Sequence, residues 1–130
     1  MSVPLLVVDA ANVVGSVPDG WWRDRAGAAV RLRARLLPIT SAGLPDLPGP
    51  VRLPGPVEVV LVVEGKARDI PATPEVRVER AAGSGDDAIV DVVRGAAEGR
   101  RVVVVTADRE LRRRVSALGA EVLGPSVLPR

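Results

Sequence analysis

Residues 3–9, Val3-Pro4-Leu5-Leu6-Val7-Val8-Asp9, decide the fold class of this chain. Val3–Val8 is an unbroken apolar run with β-branched residues, which predicts a strand buried on both faces of a sheet. Val57–Val63 and Val102–Val105 predict two more strands of this kind. Strands buried on both faces are typical of parallel sheets covered by helices, so the sequence predicts an α/β protein.

Weaker patterns predict the other elements. Glu75–Glu79 alternates polar and apolar residues, which indicates an outer strand, and Ala120–Leu123 predicts a short final strand. Apolar residues at helical spacing predict helices over Trp21–Leu37, Asp86–Ala97 and Asp108–Leu118. Alternation of strands and helices favours a doubly wound sheet. If the first strand is central, with the second and fourth beside it, the chain reverses direction there.

The first predicted helix and the segment after it carry two further expectations. Trp22 is expected on the core-facing side of the helix, and Pro38 is expected to end it, because proline lacks the N–H that continues a helix. The stretch that follows is rich in proline and glycine and predicts a surface loop at about residues 38–56. It is too short for a second domain, so a single domain is expected over residues 1–130.

Composition excludes several function classes. The 130 residues contain no Cys and no His, which excludes disulfides, thiolate chemistry and a histidine base. The sequence lacks the Gly-rich Lys-Ser/Thr loop of P-loop NTPases. Since no apolar run reaches membrane-spanning length and no secretory signal is recognisable, we expect a cytoplasmic protein without a membrane partner. The oligomeric state, including a homo-oligomer, stays open.

Acidic residues follow the predicted strands or open the helices. Asp9 and Glu64 each end a buried strand, Asp86 and Asp87 open a helix, and Asp108 follows another strand. The carboxyl ends of parallel strands meet at one edge of a sheet, so these acids are expected to converge. Each acid taken alone has an ordinary alternative as a turn residue or helix cap. Their joint placement is what indicates a site.

Two polar neighbours are expected to support that site. Asn12 lies three residues after Asp9, where its amide can orient a carboxylate, and Thr106 can add a hydroxyl or cap the next helix. Carboxylates gathered in a crevice require a cation or a proton between them. Oxygen-only ligands suit Mg²⁺ or Mn²⁺. A divalent metal can also activate water for phosphodiester hydrolysis without a side-chain base.

Three segments resemble the motifs of NYN-domain proteins, which belong to the PIN-like nuclease superfamily. The segments are Val7-Val8-Asp9-Ala10-Ala11-Asn12-Val13, Gly85-Asp86-Asp87-Ala88-Ile89-Val90 and Val104-Val105-Thr106-Ala107-Asp108-Arg109-Glu110-Leu111. The resemblance spans residues 5 to 124 with the order of the elements kept. It implies a three-layer α/β/α, PIN-like (Rossmannoid) domain with a central, mostly parallel sheet. It also implies Mg²⁺- or Mn²⁺-dependent cleavage of RNA.

These observations together predict a metal-dependent ribonuclease. Asp9, Asp86 and Asp108 are the expected catalytic residues and, with Asp87, the metal ligands. Asn12, Glu64, Asp87 and Thr106 are expected to support them. Candidate contacts to an RNA substrate are Arg23, Lys66, Arg68 and Arg109. Trp21 or Trp22 can stack on bases, although at least one is expected in the core. The alternative is a PIN-like module that binds RNA or a protein without cutting. In a structure with metal soaked in, convergence of Asp9, Asp86 and Asp108 within coordination distance supports the enzyme, and dispersal of these side chains into helix caps supports the module.

Overall fold

A computed structural model describes residues 3–96 and 98–129 of the chain. The described strands are β1 (Leu5–Asp9), β2 (Gly43–Leu44), β3 (Leu53–Pro54), β4 (Glu58–Val63), β5 (Val76–Arg80), β6 (Val102–Val105) and β7 (Glu121–Leu123). Five of them form the main sheet in the order β5-β4-β1-β6-β7, and every pairing in it is parallel. The predicted parallel α/β sheet is therefore confirmed.

Strand β1 lies at the centre of the sheet, as its apolar run predicted. It pairs with β4 on one side and β6 on the other, and all five of its residues are buried. After β1 the chain continues to β4, and after the neighbouring strand β6 it continues to β7 on the other side of the sheet. Because these two connections run in opposite directions, a crevice forms at the carboxyl ends of β1 and β6. The strand predicted over Glu75–Glu79 is at the sheet edge, as expected.

Helices cover both faces of the sheet and give it three layers. The helices are α1 (Ala10–Gly15), α2 (Arg25–Ala42), α3 (Gly85–Gly95) and α4 (Arg109–Ser116). Leu6 and Val8 of β1 point into the core shared with α1 and α2. Leu5 and Val7 point into the core shared with α3 and α4. This alternation follows from the two-residue repeat of a strand.

Helix boundaries differ from the predicted ones in several places. Helix α1, which begins directly after Asp9, was not predicted, because six residues are too few to show a helical repeat. The second predicted helix, Asp86–Ala97, ends at Gly95 in the structure, and its predicted last residue, Ala97, lies outside the described residues. Within residues 3–96 and 98–129, none of the helices has the length and apolar character to cross a membrane.

The prediction that the first long helix starts at Trp21 and stops before Pro38 is wrong at both ends. Trp21–Arg23 forms a separate 3-10 turn, and Asp24 then caps α2 through the Gly27 N–H at 2.9 Å. The expected core position of Trp22 is also wrong, since 55% of this residue is exposed. The polar cap at Asp24 outweighed the apolar periodicity on which the prediction rested.

Helix α2 continues through Pro38 to Ala42 because its later residues are held by the core. Pro38 is exposed, whereas Ile39 is 2% exposed and packs with the other buried side chains of α2. The missing proline N–H leaves one carbonyl of the preceding turn without its helical partner. Burial of Ile39, at about 1.5–3 kcal/mol for a large aliphatic side chain, offsets much of that cost.

Pro38→Ala is expected to stabilise the protein. The substitution restores a helical N–H on the exposed side of α2, while it loses some of the rigidity that proline gives the unfolded chain. We expect a net gain of about 1 kcal/mol, measured as a higher midpoint of urea unfolding with an unchanged slope. An equal or lower midpoint would show that Pro38 fits its helix without cost.

The Pro/Gly-rich segment predicted as a loop is more ordered than expected. After α2 ends, Gly43–Leu44 pairs antiparallel with Leu53–Pro54, and Gly49–Val51 forms a 3-10 turn between them. Leu53 is fully buried, which ties the hairpin to the core. Gly43 has φ 66°, and a Cβ there would lie 2.1 Å from the Leu53 carbonyl oxygen, so only glycine fits. Short strands of this kind carry too little periodicity to be predicted.

Candidate active site at the carboxyl edge of the sheet

Four acidic residues lie around the crevice at the carboxyl edge of the sheet. Asp9 is the last residue of β1, Glu64 directly follows β4, Asp86 lies in the first turn of α3, and Asp108 precedes α4. Parallel pairing of β4, β1 and β6 brings the ends of these strands to the same edge. We call Asp9, Glu64, Asp86 and Asp108 the acidic edge.

Asp9 is the buried member of the acidic edge. It is 6% exposed, and its Oδ2 accepts a hydrogen bond of 2.9 Å from the Thr106 hydroxyl. Its Oδ1 accepts the Asn12 N–H at 3.4 Å, so Asp9 also caps the short helix α1. The side chain is therefore held in one orientation at the end of the central strand.

Thr106 and Asn12 connect the turn after β1 to the turn after β6. The Thr106 hydroxyl, which is fully buried, also accepts the Asp108 N–H at 3.1 Å. The Asn12 amide oxygen accepts the Ala107 N–H at 2.8 Å. Both residues thus hold the turns that carry Asp9 and Asp108 through hydrogen bonds. Their supporting role in a reaction stays a prediction.

Glu64 reaches the N-terminus of α3. Its Oε2 accepts the Gly85 N–H, and a Cβ on Gly85 would come within 3.1 Å of that oxygen. Glycine at position 85 therefore allows the carboxylate to approach the helix end, where backbone N–H groups favour negative charge. The Ser84 hydroxyl provides the conventional cap by accepting the Asp87 N–H at 3.3 Å.

The two adjacent acids of α3 have different surroundings. Asp86 is half-buried. Its pKa is shifted by burial and by neighbouring charges, and not by a hydrogen bond from the described residues. Asp87 is exposed and forms a 3.0 Å ion pair with Arg114 of α4. Asp91, one turn further on, is exposed. The charges of Asp108 and Glu64 act on Asp86, and for this reason Asp86 is counted in the acidic edge and Asp87 is not.

Asp108 caps α4 and stays half-buried. Its Oδ1 accepts the Leu111 N–H at 2.9 Å. Arg112, on the next part of the helix, donates from Nε to the Thr106 carbonyl oxygen at 3.0 Å and so helps to hold the turn. Capping leaves the second carboxylate oxygen of Asp108 without a hydrogen bond from the described residues.

Burial and like charges raise the pKa of two members of the acidic edge, Asp9 and Asp86. Removal from water raises the pKa of Asp9 to about 6; hydrogen bonds from Thr106 and Asn12 oppose this shift, and the charges of Asp86 and Glu64 add to it. The pKa of Asp86 is raised by burial and then by the charges of Asp108 and Glu64, while Arg114 lowers it. A cation placed among these groups would relieve both effects.

The acidic edge offers the oxygen donors that a hard divalent cation prefers, but its side chains do not form a closed cluster. In residues 3–96 and 98–129, no three acidic side chains are gathered closely enough to hold a metal ion. The expectation that Asp9, Asp86 and Asp108 converge within coordination distance is not met, because Asp9, Glu64 and Asp108 are each turned toward helix-end N–H groups. Each carboxylate has more acceptor capacity than these bonds use. The set therefore fits Mg²⁺ or Mn²⁺ in the chemistry of its oxygen donors.

The basic residues predicted to contact a substrate are exposed. Arg23 lies over the ring of Trp22, 5.9 Å from its centroid. Lys66 belongs to the 3-10 turn Gly65–Ala67 directly after Glu64, and Arg68 follows that turn. Arg109 begins α4 beside Asp108. Lys66, Arg68 and Arg109 thus follow acidic-edge residues in the chain, whereas Arg23 lies further away in sequence.

A pocket of about 300 Å³ adjoins the acidic edge and was not predicted. Its lining includes Trp21, Arg25 and Glu64, together with small apolar side chains of α1 and α2. The Arg25 guanidinium lies 5.4 Å from the centroid of the Trp21 ring. The adjacent tryptophans Trp21 and Trp22 were the only sign of this pocket in the sequence. Which of them lines the pocket depends on the 3-10 turn at Trp21–Arg23.

Comparison with known proteins supports the fold. No described protein family matches the sequence, and no curated protein matches it. Among solved structures, the chain is similar to a mutant of Rae1 (YacP) from Bacillus subtilis, with a TM-score of 0.66 and 16% sequence identity. The match covers 94% of this chain and 69% of that chain. The similarity confirms the PIN-like α/β fold. At 16% identity it carries no statement about the activity of this chain.

Proposed function

We propose that this protein is a divalent-metal-dependent nuclease that hydrolyses phosphodiester bonds, with RNA as its substrate. The observation that carries the proposal is the position of Asp9. This carboxylate is buried at the end of the central strand, and its pKa is raised to about 6 beside Asp86 and Glu64. Its charge at neutral pH lowers the stability of the fold, and acids with such raised pKa values are concentrated at functional sites. Perturbed acids in a crevice at the carboxyl edge of a parallel sheet are typical of active sites.

Asp9, Glu64, Asp86 and Asp108 would hold Mg²⁺ or Mn²⁺, with Asp87 as a supporting acid. Such an ion, when bound, supplies a more acidic water and positive charge for the leaving oxygen. Thr106 and Asn12 keep Asp9 and the turn before α4 in place through hydrogen bonds at 2.8 to 3.1 Å. Orientation of this kind lowers the cost of arranging the site when the substrate arrives.

Two observations support RNA as the substrate class. The three acidic motifs resemble those of NYN-domain nucleases, and the fold similarity to Rae1 is compatible with that resemblance. Lys66, Arg68 and Arg109 are exposed next to acidic-edge residues, where they can contact phosphates. We place the activity in the cytoplasm, in line with an RNA substrate.

A second candidate function is a PIN-like module that binds RNA or a protein without cleaving it. The observation in its favour is that Asp9, Glu64 and Asp108 each accept an N–H at the start of a helix. Acids in this position stabilise helix ends without any catalytic role. The two candidates differ in whether a metal changes the behaviour of the protein.

A matched pair of substitutions on α3 tests the nuclease. Asp86→Asn removes a charge from the acidic edge, whereas Asp91→Asn removes one from the exposed side of the same helix. With Mn²⁺ and a mixed RNA pool, we expect Asp86→Asn to cut at least about ten-fold more slowly than the parent, and Asp91→Asn to match the parent. Cleavage is followed on denaturing gels, with EDTA and single-stranded DNA as parallel reactions.

Three results would overturn the nuclease. They are no cleavage of RNA or DNA by the parent with Mg²⁺ or Mn²⁺, cleavage that persists in EDTA, and equal rates for Asp86→Asn and the parent. If RNA is retained in a gel-shift assay while none is cut, the binding module is the function.

A further inference from the structure

The pocket beside the acidic edge has an aromatic wall and an apolar floor. Trp21 is half-buried and provides the wall, and the small side chains Ala10, Ala11, Val14 and Ala29 line the rest with Arg25 and Glu64. Its volume is about 300 Å³. A flat, mostly apolar ligand with polar edges matches such a lining better than a chain of charged groups does.

We propose that this pocket binds one unpaired base of the substrate strand. A base is flat and has a π-face, so it can stack on the Trp21 ring or the Arg25 guanidinium, whichever sequence it belongs to. The proposal rests on the proposed function, and it adds that the protein selects single-stranded RNA. A paired base is stacked inside a duplex and cannot enter the pocket without being flipped out.

The position of the pocket relates the bound base to the cleavage site. Glu64 belongs both to the pocket and to the acidic edge, and Ala10 and Ala11 directly follow Asp9. A base held against Trp21 therefore belongs to a nucleotide next to the phosphate at the acidic edge. Arg25 adds a positive charge at the pocket, which favours the phosphate backbone of that nucleotide.

The other tryptophan provides a matched control. Trp22 contacts Trp21 edge-on, with ring centroids 6.1 Å apart, but it is not part of the pocket lining and is mostly exposed. If any exposed aromatic were sufficient for binding, Trp22 would contribute as much as Trp21. If the pocket is the binding site, the two tryptophans contribute differently.

Binding is measured without cleavage, in EDTA at low salt, by fluorescence anisotropy of a labelled RNA strand, alone and annealed to its complement. We expect the parent to prefer the single strand by about ten-fold, the effect of stacking one base on an aromatic ring. Trp21→Leu should reduce this preference to within about two-fold, Trp21→Phe should keep most of it, and Trp22→Leu should match the parent.

A second variant blocks the pocket without changing its wall. Ala11 is exposed on α1, so Ala11→Leu fills the pocket from its rim and should leave the fold intact while it lowers the preference as Trp21→Leu does. Thermal melts of all variants show whether they are folded. No preference for the single strand in the parent, or an unchanged preference in folded Trp21→Leu and Ala11→Leu, would overturn the proposal.

The two proposals can fail separately. If the parent cleaves RNA with Mn²⁺ but both pocket variants keep the strand preference, the nuclease stands and the base pocket is rejected. If the parent cleaves nothing but the preference depends on Trp21, the base pocket stands and the nuclease is rejected.

Discussion

Asp9→Asn is expected to abolish cleavage at neutral pH and, at the same time, to make the folded protein more stable. The amide keeps the shape of the side chain and remains a good N-cap for α1. It removes the buried negative charge that a divalent cation requires. We expect at least about a 100-fold loss of Mn²⁺-dependent cleavage, in the range of losses seen when metal sites are altered.

The gain in stability follows from the raised pKa of Asp9. At pH 8 the parent must carry a charge at a position that is 6% exposed and whose pKa is about 6. Replacing it with a neutral amide should raise the free energy of unfolding by about 1–2 kcal/mol, after the loss of one hydrogen bond is included. Urea denaturation at pH 8 in EDTA measures this change.

The two effects together separate an active-site role from a structural role. Asp91→Asn serves as the control and should change neither cleavage nor stability, because Asp91 is exposed. If Asp9→Asn were both inactive and less stable, the carboxylate of Asp9 would act mainly by holding the fold through its hydrogen bonds to Thr106 and Asn12. If it cleaved as well as the parent, Asp9 would have no part in catalysis.

Without metal, the protein should lose stability as the pH rises from about 4 to 7. The pKa of Asp9 is raised in the folded state, from 3.8 to about 6. A group of this kind contributes stability fully below its unfolded pKa, and the contribution is lost as the pH rises through the folded pKa. Asp86, whose pKa is raised as well, acts in the same direction. For Asp9 the change is up to about 3 kcal/mol.

Comparison of the parent with Asp9→Asn isolates the part of this change that belongs to Asp9. In EDTA, the difference in unfolding free energy between the two proteins should be small at pH 3.5 and reach its full size above pH 7. The measurement is a series of urea titrations across this range. A difference that stays constant with pH would mean that Asp9 ionises as it does in the unfolded chain.

Addition of Mg²⁺ or Mn²⁺ should reverse the loss at neutral pH. A ligand at ten times its dissociation constant stabilises the folded state by about 1.4 kcal/mol, which corresponds to roughly 5 °C in Tm for a domain of this size. The shift should be smaller at pH 4.5, where Asp9 is protonated, and smaller in Asp9→Asn. No shift at millimolar metal would exclude a cation at the acidic edge.

The buried charge of Asp9 lowers the free energy of unfolding, and the rest of the fold must be stable enough to tolerate this loss. Three of the four acids stabilise helix ends, so the edge is built into the architecture even without an ion. The buried charge of Asp9 is the part that remains unfavourable. Sites that are kept in such a state are commonly functional, and their removal commonly increases stability.

The amino-acid sequence by itself determined the fold class, a parallel sheet covered by layers of helices. It did not fix which strands lie beside β1, and the structure places β4 and β6 there. Apolar runs at Val3–Val8, Val57–Val63 (interrupted only by Glu58) and Val102–Val105 are a local signal of strands buried on both faces, and they correspond to β1, β4 and β6. The acids after these strands were also identified from the sequence, because parallel strands bring their carboxyl ends to one edge. Both inferences depend on patterns within a few residues of one another.

Tertiary structure alone decided how the side chains at that edge are used. The continuation of α2 past Pro38 depends on Ile39 reaching the core. The Thr106–Asp9 hydrogen bond and the approach of Glu64 to Gly85 join residues 97 and 21 positions apart. Contacts over such separations arise from packing of the whole sheet and leave no periodic pattern in the sequence, so they could not be predicted from it.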